Sequence, residues 1–489
     1  MDIKKAIMDA VNSAYNLRYA SLATEKLVEV MLQDYLHKQG KEYESNKMES
    51  NVLFDGWLPQ GIDDIKGCVA VEIKITRNGH FALNRLYDLI GRIARGGANV
   101  DALLLIVIGE VPSHALDRFR ERELQLNFKV HIWDIDKLVE IFRQNEELFI
   151  RTYTNLSKVM IQDTISSGIS RSDDMYKAKK REYVERLKTE YRKDNLVLFL
   201  GAGASKAANI AMWDALISEL YIALVDKLLL QEKIMLDQGS KEKLAKEIIK
   251  QNGDSPLLQT RFLRKGFESG FEDLVGKILY RHSQDSSPLL EEIGQLCIPN
   301  RGKFGVRAIV TYNFDDLVER NLRRLRVKHR SVYTEGVQPA DEELGIYHVH
   351  GFIPQDKNGY SKLTKSPLVF SEEVYHKLML EPYNWANMTQ LNYMISNTCV
   401  FIGMSMTDPN MRRLLEIAAQ NKTDEEMRCR HYAIMRRFRI GDTQEKDTIK
   451  LFEHVNDSLQ ESFFGELDIN IIWIDEYSEI PEILKQIKS

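Results

Sequence analysis

The chain has 489 residues, of which 44% are hydrophobic and 28% are charged, and its net charge is −5. This length allows two or three domains with their own cores, and the charge excludes a general electrostatic attraction to nucleic acid. The four cysteines are far apart and form no CxxC pair, so neither a disulfide framework nor a zinc knuckle is expected. We expect a cytoplasmic protein, because neither a signal peptide nor an apolar run of about 20 residues is found.

Residues 1–155 are predicted to form a first α/β domain, because helical and strand-like periods alternate along them. The expected elements, in chain order, are a helical stretch over 4–38, strands near 51–54, 61–65 and 69–75, a helix over 82–95, a strand over 103–108, a helix over 115–125, a strand over 130–133 and a helix over 135–148.

Acidic residues and a lysine in this domain have the spacing of a metal-dependent nuclease. Asp63 precedes Glu72 by nine residues, and Lys74 lies on the same strand face as Glu72. Two carboxylates suit Mg²⁺, and the lysine can orient or activate the attacking water. Asp64 follows Asp63 directly, so the two point to opposite faces of a strand and only one can bind the metal. We favour Asp63 and keep Asp64 as the alternative ligand.

This D-X(n)-(D/E)-X-K pattern, together with the order of elements, resembles the restriction-endonuclease-like superfamily, especially its Mrr-like branch. The resemblance implies an Mg²⁺-dependent DNA endonuclease, and a role in sensing DNA or as a scaffold is the alternative. Further candidates are Glu25 or Glu29 as an additional acidic group and Arg85, Arg92 and Arg95 as phosphate contacts.

Residues 156–194 are predicted to be a charged helical linker. The sequence KAKKREYVERLKTEYRK within it is typical of a solvated helix with mixed charges at i,i+4 spacing. The domain junction is therefore expected there. Residues 195–489 then form a second α/β domain with a helical insertion at about 213–295. Its strands are expected at 196–200, 306–311, 346–350, 398–404, 431–435 and 469–474.

The second domain begins with an apolar run, Leu196–Leu200, that ends in Gly201-Ala202-Gly203-Ala204-Ser205. This predicts a buried parallel strand, a tight turn that lets the backbone approach a ligand, and a helix N-terminus that faces a pyrophosphate. Taken alone the pattern is unspecific, because Ser205 replaces the third glycine of the dinucleotide fingerprint.

Three further motifs follow predicted strands, where ligands bind in open α/β sheets. The first motif runs from Thr311 through Asn313 to Asp315. Asn313 is expected to hold a ribose hydroxyl or a water below C1′, and Asp315 to accept a hydrogen bond from the ribose or from the nicotinamide side. The second, His348-Val349-His350-Gly351, offers His350 as a general base. The third, with Gly403 and Ser405, is expected to meet the adenosine half. We expect His348 to be a hydrogen-bonded buried histidine and Asp408 to cap a helix that starts at Pro409.

In order and spacing these four motifs resemble the sirtuin catalytic domain over roughly residues 195–475, which implies a Rossmann-like parallel sheet and the use of NAD⁺. Sirtuins that deacetylate proteins carry a four-cysteine zinc module between their HG and GxS motifs. This chain has no cysteine between residues 351 and 398. It is therefore more similar to the zinc-free sirtuin-like domains of bacterial antiviral defence proteins, and this implies NAD⁺ as a substrate that is hydrolysed without zinc.

The sequence thus predicts a two-domain bacterial anti-phage effector, in which a sirtuin-like NAD⁺ hydrolase follows a nuclease-like domain. Its expected partners are NAD⁺, DNA at the first domain, further copies of the chain in a homo-oligomer, and a phage-derived trigger or partner protein, with no membrane. One alternative is a DNA-dependent sensor whose second domain only binds a dinucleotide or a derivative as a regulator. The other is an NAD⁺-dependent protein deacylase.

Overall fold

The computed structural model describes residues 2–11, 17–49, 52–75, 90–91, 93, 100–109, 128–169, 171–251, 256–267, 270–299, 305–366, 368–420, 430–440 and 446–489. The chain divides into two compact units. The first contains Met1–Arg171, Ala419–Cys429 and Ile440–Asp468, and the second contains Ser172–Ala418, Arg430–Arg439 and Ile469–Ser489. The helix expected over 115–125 and the candidates Arg85, Arg92 and Arg95 lie outside the described residues.

The first unit is built on a five-stranded mixed sheet in the order β1-β2-β3-β4-β5. The strands are β1 (Glu44–Glu49), β2 (Val52–Leu58), β3 (Val69–Ile75), β4 (Ala102–Ile108) and β5 (Lys129–Trp133). The first three strands pair antiparallel, and β3, β4 and β5 pair parallel. All of β4 is buried, as its unbroken apolar sequence ALLLIVI predicts for a strand covered on both faces.

The helices of the first unit pack against one another, and those before residue 155 also bury apolar side chains against the sheet. They are α1 (Ile3–Val11), α2 (Leu17–Lys38), α3 (Ile135–Phe142), α4 (Glu146–Thr154), α5 (Leu156–Ile169) and α17 (Lys446–Glu466). Although α17 is distant in sequence, it packs along α5. The first unit therefore takes up a segment that was expected from the sequence to belong to the second domain.

The segment predicted as a solvated linker differs most from expectation. Its first half is α5 of the first unit, and its second half is α6 (Asp173–Arg192) of the second. Within the charged run of α6, Val184, Leu187 and Tyr191 are buried in the core of the second unit. Their spacing places them on one face of the helix. This narrow apolar stripe was not recognised from the sequence because charged residues that face solvent surround it.

The second unit has a seven-stranded sheet in the order β12-β11-β10-β6-β7-β9-β8. All adjacent strands are parallel, which confirms the expected Rossmann-like class. The strands are β6 (Leu196–Leu200), β7 (Val306–Thr311), β8 (His329–Val332), β9 (Leu344–His348), β10 (Thr398–Ile402), β11 (His431–Arg436) and β12 (Ile469–Ile474). The edge strand β8 was not predicted, because it is only four residues long and its sequence, HRSV, is mostly polar.

Helices cover this parallel sheet, as such sheets require. They are α6, α7 (Ala202–Lys206), α8 (Trp213–Gln231), α9 (Gln238–Gln251), α10 (Pro256–Phe267), α11 (Phe271–Tyr280), α12 (Pro288–Leu296), α13 (Leu317–Arg324), α14 (Glu372–Leu380), α15 (Trp385–Ser396), α16 (Pro409–Gln420) and α18 (Glu479–Lys488). Helices α8 to α12 form the helical insertion expected at about 213–295. Within the described ranges, no helix combines the length and the apolarity that crossing a bilayer requires.

Strands β6 and β10 lie side by side at the point where the strand order reverses. The chain leaves β6 toward β7 on one side and leaves β10 toward β11 on the other. Two turns meet there: Gly201 N donates to Ile402 O at 3.0 Å, and Gly203 N donates to Gly403 O at 2.9 Å. Gly403 has φ +67°, and a Cβ on it would lie 2.3 Å from Ala204 N. A crevice at such a reversal is where open α/β sheets bind ligands.

This contact predicts that two glycine-to-alanine substitutions lower the free energy of unfolding by different amounts. Gly336 has φ +76°, and a Cβ on it would meet no atom within 4 Å, whereas Gly403 is closely packed. Gly336→Ala should cost about 1–2 kcal/mol for the left-handed backbone alone. Gly403→Ala should cost about 1–3 kcal/mol more, because the two turns must separate. Urea unfolding of the two variants measures the difference, and equal costs would contradict this packing.

Candidate functional site

The glycine turn after β6 packs against protein more closely than the sequence suggested. The N–H groups of Gly201 and Gly203, expected to face a pyrophosphate, both donate to carbonyls at the end of β10. A Cβ on either glycine would lie under 3 Å from Gly403 atoms. The turn therefore needs glycine so that two backbones can approach each other. Ala202 is its exposed residue, while Ala204 and Ser205 are buried.

Asn313 ties the end of β7 to this turn. Its side-chain nitrogen Nδ2 donates to Gly201 O and to Ser205 Oγ, each at 3.0 Å. Its backbone N donates to Thr311 Oγ1 at 3.1 Å. Asn313, Thr311 and Ser205 are all buried. The structure thus brings together residues that are more than 100 positions apart in the sequence.

Asp315 joins the same group from the loop after β7. Its side chain hydrogen-bonds with Ser205, and its Oδ1 accepts from Leu317 N at 3.2 Å at the start of α13. Only 4% of the residue is exposed. Burial raises the pKa of Asp315 above its ordinary value, although these hydrogen bonds act in the opposite direction. A carboxyl held in this way can accept hydrogen bonds from a bound polyol.

The Nε2 of His350 is buried and makes no hydrogen bond within the part of the chain that the structure describes. The ring meets the Tyr312 ring edge-on, with 4.3 Å between the centroids. Burial lowers the pKa of His350 below its ordinary value of 6.5, and the negative charge of Asp408 partly offsets this. The imidazole is therefore neutral at neutral pH and can accept a proton.

Tyr312 and Gln390 support His350 and were not singled out from the sequence. The Tyr312 hydroxyl donates to Gln390 Oε1 on α15, and Gln390 is fully buried. Gln390 in turn donates to Ala386 O at 3.1 Å. The TYNFD stretch marked Tyr312 as adjacent to the site, but no sequence signal connects it to residue 390.

The third motif forms a loop beside the glycine turn. Ser405 is exposed there, and its Oγ lies 2.7 Å from Thr407 Oγ1. Asp408 Oδ1 accepts from Met411 N at 2.7 Å, and α16 starts at Pro409. The predicted N-cap is confirmed. His348 is 1% exposed and both of its ring nitrogens have partners, so its prediction as a hydrogen-bonded buried histidine is confirmed as well.

In the first unit, Glu72 and Lys74 meet Asp55 rather than Asp63. Gly56 pairs with Val71 across β2 and β3, so the preceding Asp55 lies across from Glu72. Lys74 Nζ is 2.5 Å from Glu72 Oε2 and 3.6 Å from Asp55 Oδ2. Partial burial lowers the pKa of Lys74, but the two carboxylates outweigh it and hold that pKa above its ordinary value. Lys74 is therefore a cation between two carboxylates.

The expected pairing of Asp63 with Glu72 is corrected by the shape of the intervening segment. Instead of a strand over 61–65, the chain makes a tight turn in which Ile62 and Ile65 bond to each other and Asp63 has φ +48°. Asp63 Oδ1 accepts from Tyr35 OH at 2.5 Å, and its Oδ2 lies 3.8 Å from Lys137 Nζ. Asp64 is exposed in the same turn. Because Asp63 and Asp64 lie in a turn and not in a strand, the strand-face argument for choosing one of them as the metal ligand does not apply.

A cation would find two facing carboxylates in this unit. Asp55 and Glu72 supply oxygen ligands, and Glu25 on α2 adds negative charge near Lys74. Among the described residues, no group of three or more metal-binding side chains is assembled. Mg²⁺ often takes only one or two protein carboxylates and completes its shell with water and phosphate, so this donor set fits it.

Comparison with known proteins agrees with the geometry of the second unit. Residues 307–457 match the SIR2-like domain family. The chain is 24% identical over 322 residues to a protein named NAD(+) hydrolase ThsA from Enterococcus faecium, covering 63% of this chain and 58% of that protein. It is 20% identical over 314 residues to the NAD(+) hydrolase ThsA of Bacillus cereus, covering 63% and 56%. The chain thus covers less than two thirds of the length of these relatives. The SIR2-like region, residues 307–457, includes strands β8 to β11 of the parallel sheet.

Proposed function

We propose that the second unit hydrolyses NAD⁺ to ADP-ribose and nicotinamide, and that the chain acts as a bacterial anti-phage effector. The observation that carries this proposal is the arrangement of Asn313, Asp315 and the unpartnered nitrogen of His350 after adjacent parallel strands, beside the reversal between β6 and β10. The similarity to proteins named NAD(+) hydrolase supports the same substrate.

The dinucleotide is proposed to lie along the crevice between the two turns. Because the amides of Gly201 and Gly203 are already bonded, we assign the turn Gly201–Ser205 and Thr311 to the floor of the site. Gly403 lets the two turns approach each other closely, and the exposed Ser405 is assigned to the adenosine half. This division leaves the ribose attached to nicotinamide next to Asn313 and Asp315.

The reaction breaks the bond between nicotinamide and C1′ of the ribose. The bonding electrons leave with nicotinamide, which departs as a neutral base and needs no acid. Water forms the new bond to C1′, and its proton goes to His350 Nε2. We assign the amide oxygen of Asn313 to a ribose hydroxyl or to this water, and Asp315 to the hydroxyls. Positioning and general-base catalysis then supply most of the acceleration.

Substituting either central residue should slow nicotinamide release. Asn313→Ala or His350→Ala should lower turnover by roughly 100- to 10,000-fold, because each removes a positioning group or the base. His376→Ala is the matched control, since His376 is exposed on α14. Nicotinamide release is measured by chromatography, and thermal unfolding checks that each variant is folded. A loss below tenfold in both variants would refute the site assignment.

The pH dependence should report the buried imidazole. Because burial lowers the pKa of His350, the rate should be flat above pH 7 and should fall in acid with a midpoint below 6.5. Asp408→Asn should move that midpoint further down, since it removes a charge that favours the imidazolium. Asparagine also caps helices well, so α16 is retained. A midpoint above 6.5, or one unmoved in the variant, would contradict the assignment.

A second function is proposed for the first unit on the contacts of Asp55, Glu72 and Lys74. We propose that it binds DNA and cleaves it with Mg²⁺, which Asp55 and Glu72 would hold. The metal would supply an activated water and neutralise phosphate charge. Lys74, held as a cation by its two carboxylates, would orient that water or the phosphate.

We also propose that the chain works as a homo-oligomer that a phage-derived trigger activates.

Substitutions at Asp55 and Asp63 distinguish this arrangement from the one expected from the sequence. Asp55→Asn and Glu72→Ala should lower Mg²⁺- or Mn²⁺-dependent nicking of plasmid DNA by roughly 100-fold or more. Asp63→Asn is the control and should retain both nicking and Mn²⁺ affinity measured by titration calorimetry. NAD⁺ hydrolysis should persist in all three variants. Loss of metal binding only in the Asp63 variant would restore the sequence-based assignment.

A further inference from the structure

A buried histidine outside the proposed chemistry contacts the backbone of Asn313. His348, the last residue of β9, is 1% exposed. Its Nδ1 lies 3.2 Å from the carbonyl oxygen of Asn313, and its Nε2 lies 2.7 Å from Glu319 Oε1 on α13. A carbonyl oxygen can only accept a hydrogen bond, so Nδ1 must carry a proton. The ring is further held by Phe352, with 4.1 Å between the centroids.

Glu319 is the buried partner of this ring. Its side chain is 0% exposed, and its Oε1 also accepts from Ser331 Oγ at 2.8 Å. Burial would raise the pKa of Glu319, but the charge and hydrogen bond of His348 and the Ser331 hydroxyl outweigh it, so the pKa lies below its ordinary value. With Glu319 ionised, His348 Nε2 donates to it. Both ring nitrogens of His348 then act as donors.

Such a pair is poorly explained by stability alone. Removing two charges from water is costly, and apolar residues of similar volume often stabilise a core as well or better. The Ser331 hydroxyl faces the carboxylate rather than the ring, so the three groups do not form a nucleophilic triad. What the pair does provide is a directed donor toward one specific carbonyl.

The carbonyl that His348 contacts belongs to Asn313, whose side chain is held separately by the glycine turn. Residues 312–316 form no regular element, although Tyr312 N still donates to Leu200 O of β6 at 2.9 Å. The Asn313 amide reaches Gly201 and Ser205, while its backbone oxygen reaches His348. The neighbouring Phe314 O accepts from Ile353 N at 2.7 Å. Asn313 is therefore fixed at both ends, and its carbonyl is held by a buried ring.

We propose that the Glu319–His348 pair is a positioning element that holds Asn313 in the orientation needed to act on the ribose. This inference rests on the proposed hydrolase function. His348 does not touch the substrate, so it acts through Asn313 and is not a catalytic residue. Glu319 fixes the direction of the ring, as carboxylate partners of functional histidines do elsewhere.

Two substitutions of His348 by amide residues distinguish a positioning role from a purely structural one. Asparagine places its amide nitrogen where Nδ1 is and keeps the donor to Asn313, whereas glutamine reaches toward Nε2 and keeps only the bond to Glu319. His348→Gln should lower kcat for NAD⁺ by about 10- to 100-fold with KM changed less than about threefold. His348→Asn should recover kcat to within about fivefold of the wild type. His348→Asn removes the donor to the buried Glu319 carboxylate, so it should be no more stable than His348→Gln, and a higher kcat in His348→Asn then cannot come from stability.

Hydrogen exchange of a peptide covering residues 311–317 provides a readout that needs no activity. It should speed up in His348→Gln and stay near the wild-type rate in His348→Asn. Equal kcat and equal exchange in the two variants would overturn the inference and leave a structural histidine. If the wild type releases no nicotinamide, the proposed function fails, while the exchange comparison still decides whether His348 holds Asn313.

Discussion

The contact between two glycine turns is the constraint on which the second unit depends. Gly201 and Gly203 approach Gly403 so closely that no side chain fits between them, and the two backbones bond directly. This closes the ends of β6 and β10 against each other at the reversal of the sheet. Because Asn313 bonds to the same turn, the position of the proposed active site follows from this packing.

Around that contact the protein buries polar groups that a core selected for stability alone would avoid. Asp315, Glu319 and His348 are nearly inaccessible, and His350 keeps a buried nitrogen without a partner among the described residues. Burying such groups is expensive unless they are paired. Hydrogen-bonded groups here surround Asn313, although Glu319 Oε2 has no partner among the described residues. The buried Nε2 of His350 lies where we propose that a substrate proton is accepted.

Apolar runs such as Leu196–Leu200 predicted the parallel strands and their class, because a strand covered on both faces has an unbroken apolar sequence. The motif residues around Asn313 were found because they follow those strands. The long-range partners of the site residues were not found from the sequence, because Gln390 and Asp55 stand in no recognisable local motif. Asp55 was missed because the pairing of β2 with β3 depends on a turn whose shape the sequence did not specify, and register decides which carboxylate faces Glu72.

The most direct test of the proposed hydrolase is the product balance of the full chain with NAD⁺. Purified protein is incubated with NAD⁺, with and without DNA and Mg²⁺, and nicotinamide and ADP-ribose are quantified by chromatography and mass spectrometry. We predict equal amounts of the two products in at least one of these conditions, and their loss in His350→Ala. Absence of nicotinamide release in every condition would contradict the proposal, as would a ribose product that is lighter than ADP-ribose by one water.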